Sequence, residues 1–408
     1  MEFKRIMDSL QSKGVEKMQH AYRQLLLGMI CLFIVMAIGR FAYTPILPFM
    51  QQTRGLDDRS AGLLATINYL GYLIGAIVPI WIVMFSKVTD LKIYLFINII
   101  STLMMGLSDN FLLWCIVRLV SGITSGTVFV LASNVTLEAL RIAKKDGISG
   151  LLYSGVGLGI FTSSIFIFLF TTASTWKLTW ISLGIFSLMI GIFVIFGMRE
   201  NHNIENKNFK PKNIEYTETI KVKKKFIWGF SIAYFCEGAG YIITGTFLVA
   251  IVKSIPGLAD YAALSWMFVG LGAVPSTILW SMMANKVGHA KAIYFAFVLQ
   301  IIAVILPVFS GHVVSLIISS LFFGATFLGL TTLFMSKAQT LMFQGNHKVN
   351  LVALLTMIYS LGQMIAPALS GILIGESGDY NASLIFAAFI LCVGLLSSIY
   401  SYQGNNGS

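Results

Sequence analysis

Three charged side chains, Arg40, Arg118 and Glu237, lie deep inside otherwise apolar stretches of this chain. A charge near the centre of a bilayer costs at least ~2.5–3.5 kcal/mol on insertion scales, so such residues generally face an aqueous cavity or a partner. Arginine stays charged at any working pH, and its planar fork of donors fits a carboxylate or a phosphate. A carboxyl in an apolar cavity can instead gain or lose a proton as its surroundings change. The three residues therefore point to anion binding and proton transfer within a membrane.

The stretches that carry these charges have the length of membrane-spanning helices. The chain has 408 residues, of which 57% are hydrophobic and only 11% charged, whereas a soluble domain has about 25% charged residues. A helix needs ~20 residues to cross ~30 Å of hydrocarbon at 1.5 Å per residue. The pattern predicts an all-α membrane protein with twelve transmembrane helices. The spans are expected at about 24–48, 60–85, 91–108, 111–140, 148–171, 177–198, 226–252, 262–284, 290–310, 312–340, 349–374 and 382–402.

The positions of the basic residues predict the orientation of the chain. If the N-terminus is inside, 22 of the 28 Lys and Arg residues fall on the cytoplasmic side, and only Arg54, Arg59, Lys177 and Lys253 fall outside. By the positive-inside rule, both termini are then cytoplasmic, in a multi-pass protein of the cytoplasmic membrane. The same distribution explains the net charge of +11. Because the basic residues are scattered over short loops, we expect no nucleic-acid partner.

A polar stretch at residues 199–225 divides the chain into two halves. It has no hydrophobic periodicity, so a flexible cytoplasmic linker is expected between a six-helix bundle at 1–198 and a second one at 226–408. The halves resemble each other: the segment 39–45 in the first span matches 240–246 in the seventh, with Arg40 at the place of Tyr241. Such internal repeats place a substrate site near the midplane, where the halves meet.

Several motifs resemble those of the major facilitator superfamily of transporters. Arg118, Gly122 and Gly126 in the fourth span match its arginine–glycine motif. The loop at 85–92 lies where the superfamily has a second motif, and of that motif it retains only charged residues. Tyr153–Gly159 contains glycines but lacks the proline of the antiporter motif. The chain is similar to the YbfB/YjiJ branch in segments that cover essentially its whole length: Gly39–Pro45 with Pro48, Asn68–Tyr72, Tyr153–Gly159, Gly240–Ile242 and Gly362-Gln363 with Pro367.

This resemblance implies two pseudo-symmetric six-helix bundles, the fold of the superfamily, and a cavity lined by the first, fourth, seventh and tenth helices. Arg40 and Arg118 then lie at a similar depth, about 8 and 7 residues, or ~12 Å and ~10 Å, below the outer ends of their helices. Two guanidinium groups at one depth repel each other unless something anionic lies between them. We predict a substrate site formed by Arg40, Tyr43, Asn68, Arg118, Tyr241 and Gln363.

Glu237 is the predicted proton-coupling residue. The repeat aligns it with Met36, about one helical turn from the level of Arg40. Burial and a nearby arginine shift the proton affinity of a carboxyl in opposite directions. Our hypothesis is that protonation of Glu237 alternates with an ion pair to Arg40 or Arg118. Three other roles stay open: Arg118 as a structural residue that binds backbone carbonyls, Glu237 as a static partner of an arginine, and the uncharged groups as interhelical hydrogen bonds.

The sequence predicts a secondary transporter that moves a small organic anion by alternating access, with a proton as co-substrate. The alternative is a proton-driven exporter of lipophilic compounds, in which Glu237 binds the cation. A membrane enzyme is disfavoured because the five histidines lie in loops, in the linker or at span ends. The four cysteines lie in apolar segments without metal-ligand spacing, so neither a cofactor nor a metal is expected. We expect a monomer whose partners are the lipid bilayer and the small-molecule substrate.

Overall fold

The computed structural model describes residues 2–145, 148–200, 224–344, 351–375 and 379–403. Within these ranges the secondary structure is helical, and twelve segments are long and apolar enough to span a membrane. This confirms the predicted fold class and number of spans. The α-helices are α1 (Glu2–Leu32), α2 (Tyr43–Arg54), α3 (Asp58–Trp81), α4 (Lys87–Leu107), α5 (Phe111–Ile142), α6 (Leu151–Phe170), α7 (Trp176–Gly197), α8 (Lys224–Lys253), α9 (Ala262–Val287), α10 (His289–Phe309), α11 (Val313–Gln344), α12 (Leu351–Ile374) and α13 (Asn381–Tyr402).

The first span is longer and less regular than predicted. A π-helix, Phe33–Phe41, joins α1 to α2, and the span continues to Arg54 rather than ending near residue 48. Segments of π-helix are rare and frequently occur at functional sites. The span ends at Gly55, which adopts a left-handed φ of 62° that favours glycine and whose N–H binds the carbonyl of Gln51.

The helices pack as two bundles with equivalent contacts. In the first bundle α3 packs against α5, and in the second the corresponding helices α9 and α11 pack against each other. The two bundles meet along α3 with α12 and along α6 with α9, again in equivalent pairs. Glycines allow the helix axes to approach closely: a Cβ on Gly75 of α3 would lie 1.9 Å from the carbonyl oxygen of Ile123 on α5. The structure therefore contains the predicted pair of pseudo-symmetric six-helix bundles.

Contacts between α2 and α8 join the two bundles. The Thr44 hydroxyl donates a hydrogen bond to the carbonyl of Gly245 at 2.5 Å. Lys253 on α8 donates to the carbonyl of Pro48 on α2 at 3.3 Å. The helices α2 and α8 are therefore held together in this conformation.

The predicted linker at 199–225 lies mostly outside the described residues. The described chain stops at Glu200 and resumes with α8 at Lys224. At the same end of the molecule, the loop at 85–92 has a structural function. The Asp90 carboxylate accepts hydrogen bonds from the backbone N–H groups of Met84 at 2.7 Å and Phe85 at 3.2 Å. This retained charged residue therefore stabilises the turn between α3 and α4.

Candidate substrate-binding site

Arg118 presents hydrogen-bond donors that the described residues do not satisfy. Its side chain is 1% exposed, and its Nε donates a long hydrogen bond of 3.4 Å to the carbonyl of Leu64. The guanidinium carbon lies 4.5 Å from the centre of the Tyr43 ring, a cation–π contact. Among the described residues, neither Nη1 nor Nη2 has a hydrogen-bond partner. Because a buried donor left unpaired costs ~1–3 kcal/mol, this fork is suited to receive an oxyanion.

Arg40 has partners in both bundles. It is 2% exposed, and its Nη2 donates to Oε1 of Gln363 on α12 at 2.9 Å. The guanidinium lies over the rings of Tyr69 and Tyr72 on α3, at 4.5 and 4.2 Å from their centres. Gln363 in turn donates through Nε2 to the Tyr241 hydroxyl on α8. One chain of hydrogen bonds therefore links Arg40 to Tyr241, the two positions that the repeat aligns.

The two arginines do not lie at the same depth, contrary to the prediction. Arg118 is seven residues from the start of α5 at Phe111, as expected, but Arg40 is fourteen residues before the end of α2 at Arg54. At 1.5 Å per residue these positions are ~10 and ~21 Å from the far ends of their helices. The prediction was wrong because the first span continues past residue 48. The two arginines therefore lie at different depths along the interface between the bundles.

Tyr43 and Asn68 belong to the surroundings of Arg118. The Tyr43 hydroxyl donates to the carbonyl of Ala61 at 3.0 Å, which holds the ring beside the guanidinium. Asn68 donates through Nδ2 to the carbonyl of Arg118 itself at 2.9 Å, where α3 crosses α5. Both side chains are buried. The structure thus brings the six predicted residues together as two groups of three, one around each arginine.

Glu237 lies apart from both arginines. It is fully buried, and its Oε1 accepts a hydrogen bond of 3.3 Å from Nε2 of Gln300 on α10. The ion pairs within the described part of the chain include none between Glu237 and an arginine. The ion pair proposed from the sequence is therefore absent from this conformation.

Sequence reasoning missed three residues of this region. Tyr69 was overlooked although it lies within the Asn68–Tyr72 segment that carries the resemblance. Gln300 is a single polar residue in the middle of the apolar helix α10, a signal that could have identified it as the partner of a buried acid. Tyr359 stacks on Tyr241 with ring centres 5.9 Å apart, and nothing in the sequence indicates this contact.

Two similar six-helix bundles with buried charged residues near their interface are an architecture typical of secondary transporters. A sequence model of the family described as uncharacterised MFS-type transporter YbfB matches residues 32–398. The chain belongs to this family within the major facilitator superfamily. It is a multi-pass membrane transporter and not an enzyme.

Known transporters are similar to this chain at low sequence identity. The probable sulfoacetate transporter SauU of Cupriavidus necator is 22% identical over 407 residues, which cover 93% of each chain. The transporter YfhI of Bacillus subtilis is 22% identical over 394 residues, covering 93% of this chain and 96% of YfhI. The crystal structure of a variant of the nucleoside transporter NupG gives a TM-score of 0.72 at 13% identity and covers 93% of this chain and 100% of that chain.

Proposed function

We propose that this protein is a secondary transporter that moves a small organic anion by alternating access, with Arg118 as the anion anchor. The observation that carries the proposal is the guanidinium of Arg118, which is buried while both of its Nη atoms are without partners among the described residues. Its Nη atoms are free for two parallel hydrogen bonds to one carboxylate, sulfonate or phosphate. Tyr43 and Asn68 position this group.

Arg40, Gln363 and Tyr241 form the second part of the proposed site and connect it to conformational change. Because Gln363 lies on α12 and Arg40 on the first span, their hydrogen bond crosses the interface between the bundles. An anion that binds Arg40 competes with the neutral oxygen of Gln363. The bound anion therefore makes different contacts in conformations in which the two bundles pack differently. Such a difference is the condition for a ligand to shift a conformational equilibrium.

The named relatives support this proposal only in outline. Sulfoacetate, the substrate named for SauU, is an organic anion, in keeping with two buried arginines. NupG is a nucleoside transporter, and its likeness to this chain concerns the fold alone. The chemistry of the site supports an anion over a neutral solute, because among the described residues no carboxylate forms an ion pair with the fork of Arg118.

The remaining parts of the proposal concern coupling and placement in the membrane. Glu237, the acid buried deep in the seventh span, is proposed as the proton-coupling residue. The excess of Lys and Arg in alternate loops supports a protein of the cytoplasmic membrane with both termini in the cytoplasm. We propose a monomer, with bundles at 1–198 and 226–408 joined by the linker at 199–225.

Thermal unfolding of the detergent-purified protein with a panel of carboxylates, sulfonates, phosphates, amino acids and lipophilic cations tests this function. A ligand at 100 times its Kd should stabilise the fold by ~2.7 kcal/mol. We expect stabilisation by one class of anions, which is lost in Arg118→Met and kept in Arg59→Met, since Arg59 is exposed. Stabilisation by lipophilic cations alone, unchanged in Arg118→Met and lost in Glu237→Gln, would instead support the exporter.

A further inference from the structure

The surroundings of Glu237 leave two buried acceptor atoms without partners. Gln300 Nε2 donates to Glu237 Oε1 at 3.3 Å, and both residues are 0% exposed. Among the described residues, Oε2 of Glu237 and Oε1 of Gln300 have no hydrogen-bond partner. An ionised carboxylate offers acceptors only, so it satisfies neither of these two atoms. A protonated carboxyl gains one O–H donor, which is the group that both atoms lack.

In the described part of the chain, the other titratable side chains that interact electrostatically with Glu237 carry no positive charge. On its own helix these are Cys236, Tyr234 and Tyr241, and from α12 it is Tyr359. On α13, a Cβ at Gly394 would meet the side chains of Cys236, the neighbour of Glu237 in sequence, and of Phe297 on α10, so this side of the pair is apolar and closely packed. An uncompensated buried charge costs several kcal/mol. The geometry therefore favours the neutral acid.

We propose that Glu237 and Gln300 form an acid–amide pair that is the proton-binding site of this protein, inside the second bundle and separate from the arginines. In this pair the Gln300 amide donates to Oε1 of Glu237, and the proton taken up from water on Oε2 is donated to Oε1 of Gln300. Release of the proton leaves two acceptors opposed and a buried charge unpaired. The deprotonated form therefore requires a different packing of α8 and α10, in which water reaches the carboxylate.

A physical connection leads from this pair to the anion site. Tyr241 follows Glu237 by four residues, and residues at this spacing lie on the same face of a helix. The Tyr241 hydroxyl accepts the hydrogen bond from Gln363, which binds Arg40. A shift of α8 on proton release thus moves the residue to which the Arg40 network is attached. Coupling in this arrangement goes through helix packing rather than through an ion pair between Glu237 and an arginine.

Infrared difference spectra of the purified protein, recorded as the pH is varied, test the pair without any substrate. The wild type should show the C=O stretch of a protonated carboxylic acid at neutral pH, and Glu237→Gln should lack it. In Gln300→Leu the band should change frequency because the acid loses its hydrogen-bonded partner. Gln24→Leu, a matched change of a buried glutamine in the first bundle whose partners are Arg199 and His20, should leave it unchanged.

Each outcome of this experiment either supports or overturns the pair. A band that is absent at every pH, or that is the same in Gln300→Leu as in the wild type, would show that the pair does not exist. Gln300→Met preserves length without hydrogen-bonding groups and replaces Gln300→Leu if that variant does not fold. The proposal rests on the proposed transport function only where it assigns the bound proton a role in transport. Because the spectra need no substrate, failure of the anion panel and failure of the pair are separate results.

Discussion

Replacing Arg118 by methionine should not destabilise the protein, and in the absence of ligand it should stabilise it slightly. Buried arginines are usually costly to remove when they hold a structure together. Here, within the part of the chain that the structure describes, the side chain makes one long hydrogen bond, to the carbonyl of Leu64 at 3.4 Å, and one ring contact, with Tyr43. Its two Nη atoms have no partners among the described residues. A residue kept for binding a ligand is expected to show this imbalance.

The contacts allow the magnitude to be worked out. Two unpaired buried donors, at ~1–3 kcal/mol each, cost about 4 kcal/mol in the folded state. Loss of the hydrogen bond costs about 1 kcal/mol, and loss of the desolvated cation–π contact about 2 kcal/mol. The net effect of Arg118→Met is a gain of about 1 kcal/mol, since methionine fills much of the space with an apolar chain. Truncation of a structural, paired arginine would instead lower the stability of the protein by about 3–5 kcal/mol.

Thermal unfolding in detergent, followed by tryptophan fluorescence, measures the difference. The apparent Tm of Arg118→Met should equal or exceed that of the wild type without ligand, and the variant should show no stabilisation by the anion class that stabilises the wild type. Arg118→Lys keeps a charge but loses the fork, so it should bind the anion more weakly. A clear fall in Tm for Arg118→Met would refute this reasoning and assign Arg118 to the structural role that the sequence left open.

Three further predictions concern the packing and the ends of the helices. Gly75→Ala should lower the free energy of unfolding by about 1–3 kcal/mol, and with it the apparent Tm, because the new Cβ would meet the backbone carbonyl oxygen of Ile123 at 1.9 Å; Gly14→Ala, with no atom within 4 Å of the new Cβ, is the control and should not lower the Tm. Thr44→Val removes the hydrogen bond between α2 and α8, worth about 0.6 kcal/mol on average in a membrane, so hydrogen–deuterium exchange in α2 should become faster; unchanged exchange would contradict this. Hydrogen bonds from the Ser60 hydroxyl and backbone N–H lower the pKa of Asp57, the cap of α3. Asp57→Ala should therefore cost about 1 kcal/mol at neutral pH, and this difference from the wild type should vanish as the pH falls through the lowered pKa, whereas a difference that persists in acid would rule out the ionised cap.

The number of spans, their approximate bounds and the repeat could be predicted from the sequence. Backbone groups in a membrane must be satisfied within each segment, so long apolar stretches determine helices without reference to the rest of the chain. The same logic identified Arg40, Arg118 and Glu237, because a charge inside such a stretch is conspicuous. The π-helix and the extra turns up to Arg54 were not predictable, since they depend on what the first span packs against.

The pairing of the site residues was decided by the tertiary structure alone. Arg40 and Gln363 are 323 residues apart, and which face of each helix meets the other depends on the rotation and tilt set by all neighbouring helices. For the same reason Glu237 was assigned an arginine as partner, whereas the fold turns it toward Gln300 on α10. Sequence by itself thus determined which buried charged residues are candidates for the site, because the cost of a buried charge is local. Only the folded chain decided which of them lie in contact, because that depends on the packing of the helices.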